Sequence, residues 1–263
     1  CIIEDLFNII NNMNISVNNI INIIMNELIN YAGKFVTMSV GYNASLYMTN
    51  YILSIYYPKY KTLTHSNKHY VVTNINKSAV MAYIFTAFIR IFYNNPEYVF
   101  NTYKSVSPEA RNEWKLLTML YACTDFVSLL KAEKMPTSTQ VHHYGVVLAL
   151  VIVLLSDFTG ASISKSMVIY GAFSSSAGIV NTYLGARKLY DKKTLIIRVL
   201  KKLGLISYIM ACSANWSWQF KYLITYFKSP AQTVVILKFL LNTGLLYSWI
   251  QDDLKLMKHL MTN

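Results

Sequence analysis

Two adjacent histidines, His142 and His143, are the side chains in this sequence best suited to acid–base chemistry. A proline and a cluster of serines and threonines precede them in residues 135–140, which predicts the start of a helix with Ser138 or Thr139 as the N-cap. In the first helical turn the positive end of the helix dipole disfavours an added proton, so we expect a neutral imidazole that accepts a proton. The alternative interpretation is that both histidines cap the helix or lie among lipid headgroups.

Asp125 is the acidic side chain best placed to assist the histidine pair. It lies near the end of the apolar segment 114–130, and a short connection makes this segment an antiparallel neighbour of the one that begins at His142. We therefore expect Asp125 to approach one histidine and to orient it or support its cationic form. The alternative is a structural hydrogen bond to a neighbouring helix. Asp157 is no partner, because fifteen helical residues place it about 22 Å from His142.

Weaker candidates lie elsewhere in the chain. Ser174, Ser175 and Asn181 fall within one apolar segment and are predicted to contact lipid, with helix packing as the alternative. His65 and His69 are four residues apart, but no third ligand accompanies them, so the sequence predicts no metal site. We find no phosphate-binding loop or dinucleotide fingerprint, and we expect no bound cofactor.

The composition indicates a membrane protein. Of the 263 residues 54% are hydrophobic and only 14% are charged, whereas a soluble domain carries about 25% charged residues. The net charge of +12 fits loops rich in Lys and Arg on the cytosolic side of a membrane. Nucleic acid is not an expected partner, because that interpretation requires a basic face on a water-soluble fold.

Hydropathy predicts an all-α fold, a polytopic transmembrane bundle of about seven spanning helices, with six or eight as the alternatives. An amphipathic N-terminal segment at 1–34 precedes the transmembrane domain at 35–255, and a tail occupies 256–263. The stretch 59–77 is predicted to be a polar loop. The predicted spans are 35–57, 78–94, 114–130, 142–158, 166–186, 203–227 and 231–250.

The charge of the predicted loops indicates the orientation of the chain. Of the 24 Lys and Arg residues, 15 fall in 58–77, 131–141, 187–202 and the segment after 250, while six fall in the segments on the other side. Cytoplasmic loops carry an excess of Lys and Arg, so the first set is predicted to be cytosolic. The N-terminus is then lumenal or exoplasmic and the C-terminus cytosolic, with the histidine pair near the cytosolic face.

Three short motifs resemble the TLC domain, the family of ceramide synthases and translocon-associated membrane proteins. They are the sequence YACTD at 121–125, the sequence KMPTSTQVHH at 134–143, and Asn181 in the next apolar segment. The resemblance covers residues 35–255 and implies N-acyl transfer from acyl-CoA to a lipid amine, in the endoplasmic reticulum or another internal membrane. His142 or His143 would then be the general base or the group that accepts the acyl chain, with Asp125 as its polar support.

The sequence departs from the ceramide synthases in one respect. Those enzymes carry an additional His-Asp pair and further acids after the double histidine, whereas the only downstream histidine here is His259. The smaller TLC proteins without synthase activity are therefore the closer comparison. The leading hypothesis is a protein that binds or acylates lipid in an intramembrane cavity, with acyl-CoA as co-substrate and membrane lipids as partners. The alternative is a non-catalytic interaction protein, a homo-oligomer or a subunit of a membrane assembly; a transporter or receptor is a third hypothesis.

Overall fold

The computed structural model describes residues 17–101, 103–131, 135–159, 162–227 and 233–262, and these residues form helices and no strand. The prediction of an all-α fold is confirmed. Residues 1–16 of the predicted amphipathic segment lie outside the described residues. The described helices are α1 (Val17–Tyr56), α2 (Pro58–Lys61), α3 (His65–Asn94), α4 (Glu97–Phe100), α5 (Pro108–Lys131), α6 (Thr137–Leu154), α7 (Ile163–Ser176), α8 (Gly178–Leu189), α9 (Leu195–Phe227) and α10 (Thr233–Thr262).

Helices α3 and α6 are long and apolar enough to cross a membrane, and they are the two such helices within the described ranges. Their most apolar stretches have mean hydropathies of 1.3 and 1.4. Within the described residues, the helices that contain the other predicted spans do not combine the length, hydropathy and low charge of these two. A bundle of about seven spans stays a prediction.

The prediction of a polar loop at 59–77 is wrong, and other helices extend past the predicted segment limits, because hydropathy marks the apolar part of a helix and not its ends. The predicted polar loop 59–77 is mostly helical: α3 begins at His65, where the Thr64 side chain accepts a hydrogen bond from the backbone N–H of Asn67 at 3.4 Å. Helix α1 runs without a break across the predicted boundary at residue 34, and α10 continues through the predicted tail to Thr262.

The fifth predicted span is two helices rather than one. The chain leaves the helical path at Ala177, between α7 and α8. Just before the break, the hydroxyl groups of Ser175 and Ser176 donate to backbone carbonyls three residues earlier, at 2.7 and 2.6 Å, a pattern that competes with the regular helical hydrogen bonds. At Gly178 a Cβ atom would lie 3.1 Å from Cβ of Met81, so glycine permits the close approach of α8 to α3.

The histidine-bearing helix begins earlier than predicted. Helix α6 starts at Thr137, with Pro136 at the N-cap position and no capping side chain, so the prediction of Ser138 or Thr139 as the N-cap is wrong. Proline suits this position because it has no N–H group to satisfy. His142 and His143 consequently lie in the second turn of α6, where the influence of the helix dipole is weaker than in the first turn.

Helices α3 and α5 pack antiparallel, and this pairing sets the position of Asp125. Arg90 contacts Glu113 at one end of the pair, and Lys77 contacts Asp125 at the other. Between them, fully buried Trp114 anchors α5, with the ring of Phe158 edge-on at 5.4 Å. Asp125 lies eleven residues, about three helical turns, along α5 from this anchor.

Candidate functional site

Asp125 is the centre of a buried polar cluster. Its side chain has no exposed surface, because α5 is packed against α1, α3 and α6. The ammonium group of Lys77 on α3 lies 2.5 Å from Asp125 Oδ1, and Nδ1 of His143 on α6 lies 3.1 Å from the same oxygen. A buried carboxylate needs such partners, since an unpaired charge in a protein interior is strongly destabilising.

The two histidines contact different acids although they are adjacent in the chain. Their rings stand nearly perpendicular, at 84°, with centroids 5.6 Å apart. His143 faces Asp125 and is 7% exposed. Nδ1 of His142 lies 3.7 Å from Oδ2 of Asp252 on α10, too far for a direct hydrogen bond. The cluster therefore carries one carboxylate beside each imidazole.

Three polar atoms of the cluster lack a hydrogen bond to any described residue. They are Oδ2 of Asp125 and the Nδ1 atoms of His142 and His143. His143 Nδ1 is within ion-pair distance of Asp125 Oδ1 but does not have hydrogen-bond geometry. More than nine in ten buried polar groups in folded proteins are paired. Three unsatisfied atoms in one cluster are thus typical of a site that takes a ligand or acts on one.

Helix α10 completes the site through a close helix contact. The ring of Trp249 lies 6.5 Å from that of His142, and Asp252 follows it by three residues, one turn further along the helix. A Cβ atom at position 145 would lie 3.1 Å from Nε1 of Trp249, so Gly145 lets α6 and α10 approach. Without this approach, Asp252 would stand farther from His142.

A small apolar cavity lies directly beside the polar cluster. It occupies about 30 Å³ between α5, α6 and α7, with α3 and α10 closing its sides. Tyr121 lines it one turn before Asp125, and Val146 lines it one turn after His143, but the three clustered residues themselves do not form its wall. The volume is of the order of one or two water molecules, so an acyl chain enters only if the surrounding helices separate.

The contacts described for the residues predicted to bind lipid do not include the histidines. Nδ2 of Asn181 is 3.1 Å from the sulfur of Met81, and the hydroxyl of Ser175 donates to the backbone of its own helix. Ser174 lies close enough to interact with the hydroxyl of Tyr121, and through it borders the cavity. The contacts of Asn181 and Ser175 are those of helix packing, and a role for any of the three in lipid binding stays a prediction.

Sequence reasoning found Asp125, His142 and His143 but missed Lys77, Trp249 and Asp252. Lys77 is the last residue of the predicted loop 59–77. A lysine next to a membrane span usually extends its ammonium group into water. Because α3 begins at His65, Lys77 lies instead more than three turns inside a helix. No local pattern in the sequence indicates that Asp252 lies beside His142, more than a hundred residues earlier in the chain.

The neighbouring acid Asp253 has a different role. The hydroxyls of Tyr170 and Tyr208 each donate to its carboxylate at 2.7 Å, and the indole N–H of Trp216 donates at 3.3 Å. This buried carboxylate is satisfied by three donors and ties α10 to α7 and α9. It is a structural group, in contrast to the incompletely satisfied Asp125.

No protein-family model, curated protein or solved structure matches this chain. The side chains themselves indicate its chemical character. Within the described residues they form a Lys-Asp-His-His cluster around fully buried Asp125, an apolar cavity one turn away, and three side-chain polar atoms without a hydrogen bond.

Proposed function

We propose that this chain is a TLC-like integral membrane protein, a bundle of about seven spans that binds lipid at Asp125, His142 and His143. On this proposal it transfers an acyl group from acyl-CoA to a lipid amine. The observation that carries the proposal is the pairing of a buried imidazole with a buried carboxylate, 3.1 Å apart, beside an apolar cavity. The proposed location is the endoplasmic reticulum or another internal membrane, with the N-terminus lumenal and the C-terminus cytosolic.

The surface of the helices supports a membrane environment. Large apolar side chains are exposed along α1, where Tyr47, Met48 and Tyr51 are each more than 60% accessible. On α9, Met210 is 67% exposed. A soluble monomer rarely presents such extended apolar surface, whereas lipid tails or partner helices cover it at no cost.

The chemistry proposed for the site uses a neutral imidazole as a general base. His143 takes the proton of a lipid amine while the nitrogen attacks the thioester carbonyl of acyl-CoA. The new C–N bond forms, the C–S bond breaks, and CoA leaves as the thiol after receiving the proton. Asp125, held by Lys77, stabilises the transient imidazolium through its negative charge. His142, beside Asp252, is the second candidate for the same role.

The test is acyl transfer by the purified chain in lipid nanodiscs. Labelled acyl-CoA is supplied with sphingoid-base and lysolipid acceptors, and the acylated product is separated and counted. We expect His143→Ala and Asp125→Asn to lower the rate by about 100-fold or more, in the range of a lost general base. His69→Ala is the matched control, because His69 lies near the start of α3, about two turns before Lys77. Equal rates for wild type, His142→Ala and His143→Ala would refute the catalytic role.

A non-catalytic membrane interaction protein is the second candidate, and one observation favours it. The cavity beside the cluster is far smaller than an acyl chain, while the exposed apolar face of α1 offers a ready helix-docking surface. On this alternative, chemical cross-linking in native membranes would trap a homo-oligomer or partner through cysteines introduced at Tyr47 and Tyr51. No acyl transfer would be detected with any acceptor.

A further inference from the structure

We propose that Asp125, His142 and His143 form a binding site for a divalent first-row transition metal, with zinc as the probe. Their candidate ligand atoms all lie within 4.8 Å of one another. One carboxylate oxygen and both Nδ1 atoms are buried and have no hydrogen bond to a described residue. The convergence of these side chains and the missing hydrogen bonds both point to a ligand that accepts lone pairs.

The donor set indicates which cations fit. Two imidazoles and one carboxylate suit zinc and ferrous iron, whereas calcium and magnesium prefer sites built from oxygen alone. In a tetrahedral zinc site the ligand atoms lie about 2.0–2.2 Å from the metal, so the side chains must draw together by about an ångström from their present positions. Three protein ligands leave a coordination position for water or for a polar group of a lipid.

Lys77 opposes metal binding in this arrangement. Its ammonium group lies 2.5 Å from Oδ1 of Asp125 and neutralises the carboxylate. A dication beside it is repelled, so the ammonium group has to move away, and its 15% exposed side chain has a route to the surface. Asp252, 3.7 Å from His142, then supplies a second negative charge that balances the dication.

This site does not depend on acyl transfer. A metal bound through the Nδ1 atoms takes the lone pairs with which the imidazoles would accept a proton. The metal-bound form and a form that uses His143 as general base therefore exclude each other. If both proposals hold, zinc inhibits acyl transfer; a chain that binds zinc and transfers nothing contradicts only the proposed function.

The test is competition between the purified chain and a chromophoric chelator for zinc, with metal content measured after gel filtration. We expect one zinc per chain, and affinity lower by about 100-fold or more in His142→Ala, His143→Ala and Asp125→Asn. The double variant His65→Ala/His69→Ala is the control and should keep full affinity, because these residues lie near the start of α3, outside the cluster. Lys77→Met should bind zinc about tenfold or more tightly, because a repelling cation is removed.

Cobalt gives a second readout that does not require activity. Bound Co²⁺ should show visible absorption bands typical of nitrogen and oxygen ligands, and these bands should be missing in His143→Ala when its circular dichroism is unchanged. The proposal is overturned if wild type binds no zinc, if zinc is retained when the three ligands are replaced, or if Lys77→Met binds zinc no better than wild type. Ferrous iron in place of zinc under anaerobic conditions identifies the preferred metal.

Discussion

The Lys77→Met substitution tests how the buried cluster is held together. Two unit charges 2.5 Å apart attract by about 7 kcal/mol at an effective dielectric constant of about 20, before the desolvation of both groups is subtracted. Removal of one partner from a buried pair costs about 3–5 kcal/mol, because the other charge is left uncompensated. The imidazole of His143 remains as a polar neighbour 3.1 Å from the same carboxylate oxygen, so we expect the lower end of that range.

The assay is reversible unfolding in detergent micelles, monitored by circular dichroism. The free energy of unfolding is compared between variants. Arg90→Met is the matched control, because Arg90 pairs with Glu113 on the same two helices but is 65% exposed. Exposed pairs contribute about 1 kcal/mol or less. The double variant Lys77→Met/Asp125→Leu should regain most of the lost stability, because no buried charge remains. A loss for Lys77→Met no larger than that of Arg90→Met would refute the assignment of a buried ion pair.

Three further predictions concern the elements around the site. Gly145→Val should lower the free energy of unfolding by about 1–3 kcal/mol, because the valine side chain would collide with Trp249. Gly171→Ala should be neutral or stabilising, because an added Cβ atom there meets nothing within 4 Å. Thermal unfolding measures both effects. Asp253→Ala should cost about 3 kcal/mol or more by the same assay, since it leaves two buried tyrosine hydroxyls and the partly buried indole N–H of Trp216 without an acceptor. A loss below about 1 kcal/mol would contradict the hydrogen bonds described. Lys165, just before the fifth predicted span, has its pKa lowered by burial from 10.5 to about 8. Because its charged form is disfavoured in the folded state, its contribution should make stability rise with pH between about 8 and 10.5, and this rise should be missing in Lys165→Met.

The sequence alone allowed part of the site to be predicted. A short connection between α5 and α6 forces them to pack antiparallel, and this is enough to expect Asp125 near the histidines. The all-α fold was predicted from hydropathy, because long apolar segments are visible in the sequence. Both features depend on residues that are close together in the sequence.

The remaining parts depend on contacts between distant segments. Asp252 meets His142 only because Gly145 permits α10 to approach α6, and no pattern within either helix encodes that pairing. Lys77 was assigned to a loop because a polar helical stretch and a polar loop have the same hydropathy. The break at Ala177 depends on side-chain hydrogen bonds of Ser175 and Ser176, which propensity alone does not resolve.

Photo-cross-linking with a lipid tests the central claim most directly, since the claim is that the Asp125–His143 cluster and its cavity form the lipid site. A sphingoid base with a photoactivatable group in its hydrocarbon tail is mixed with the protein in nanodiscs and irradiated. The labelled peptides are then identified by mass spectrometry. We predict labelling at Tyr121 and Val146, competed by unlabelled lipid and reduced in His143→Ala. Labelling confined to the exposed face of α1, unchanged in that variant, would contradict the account.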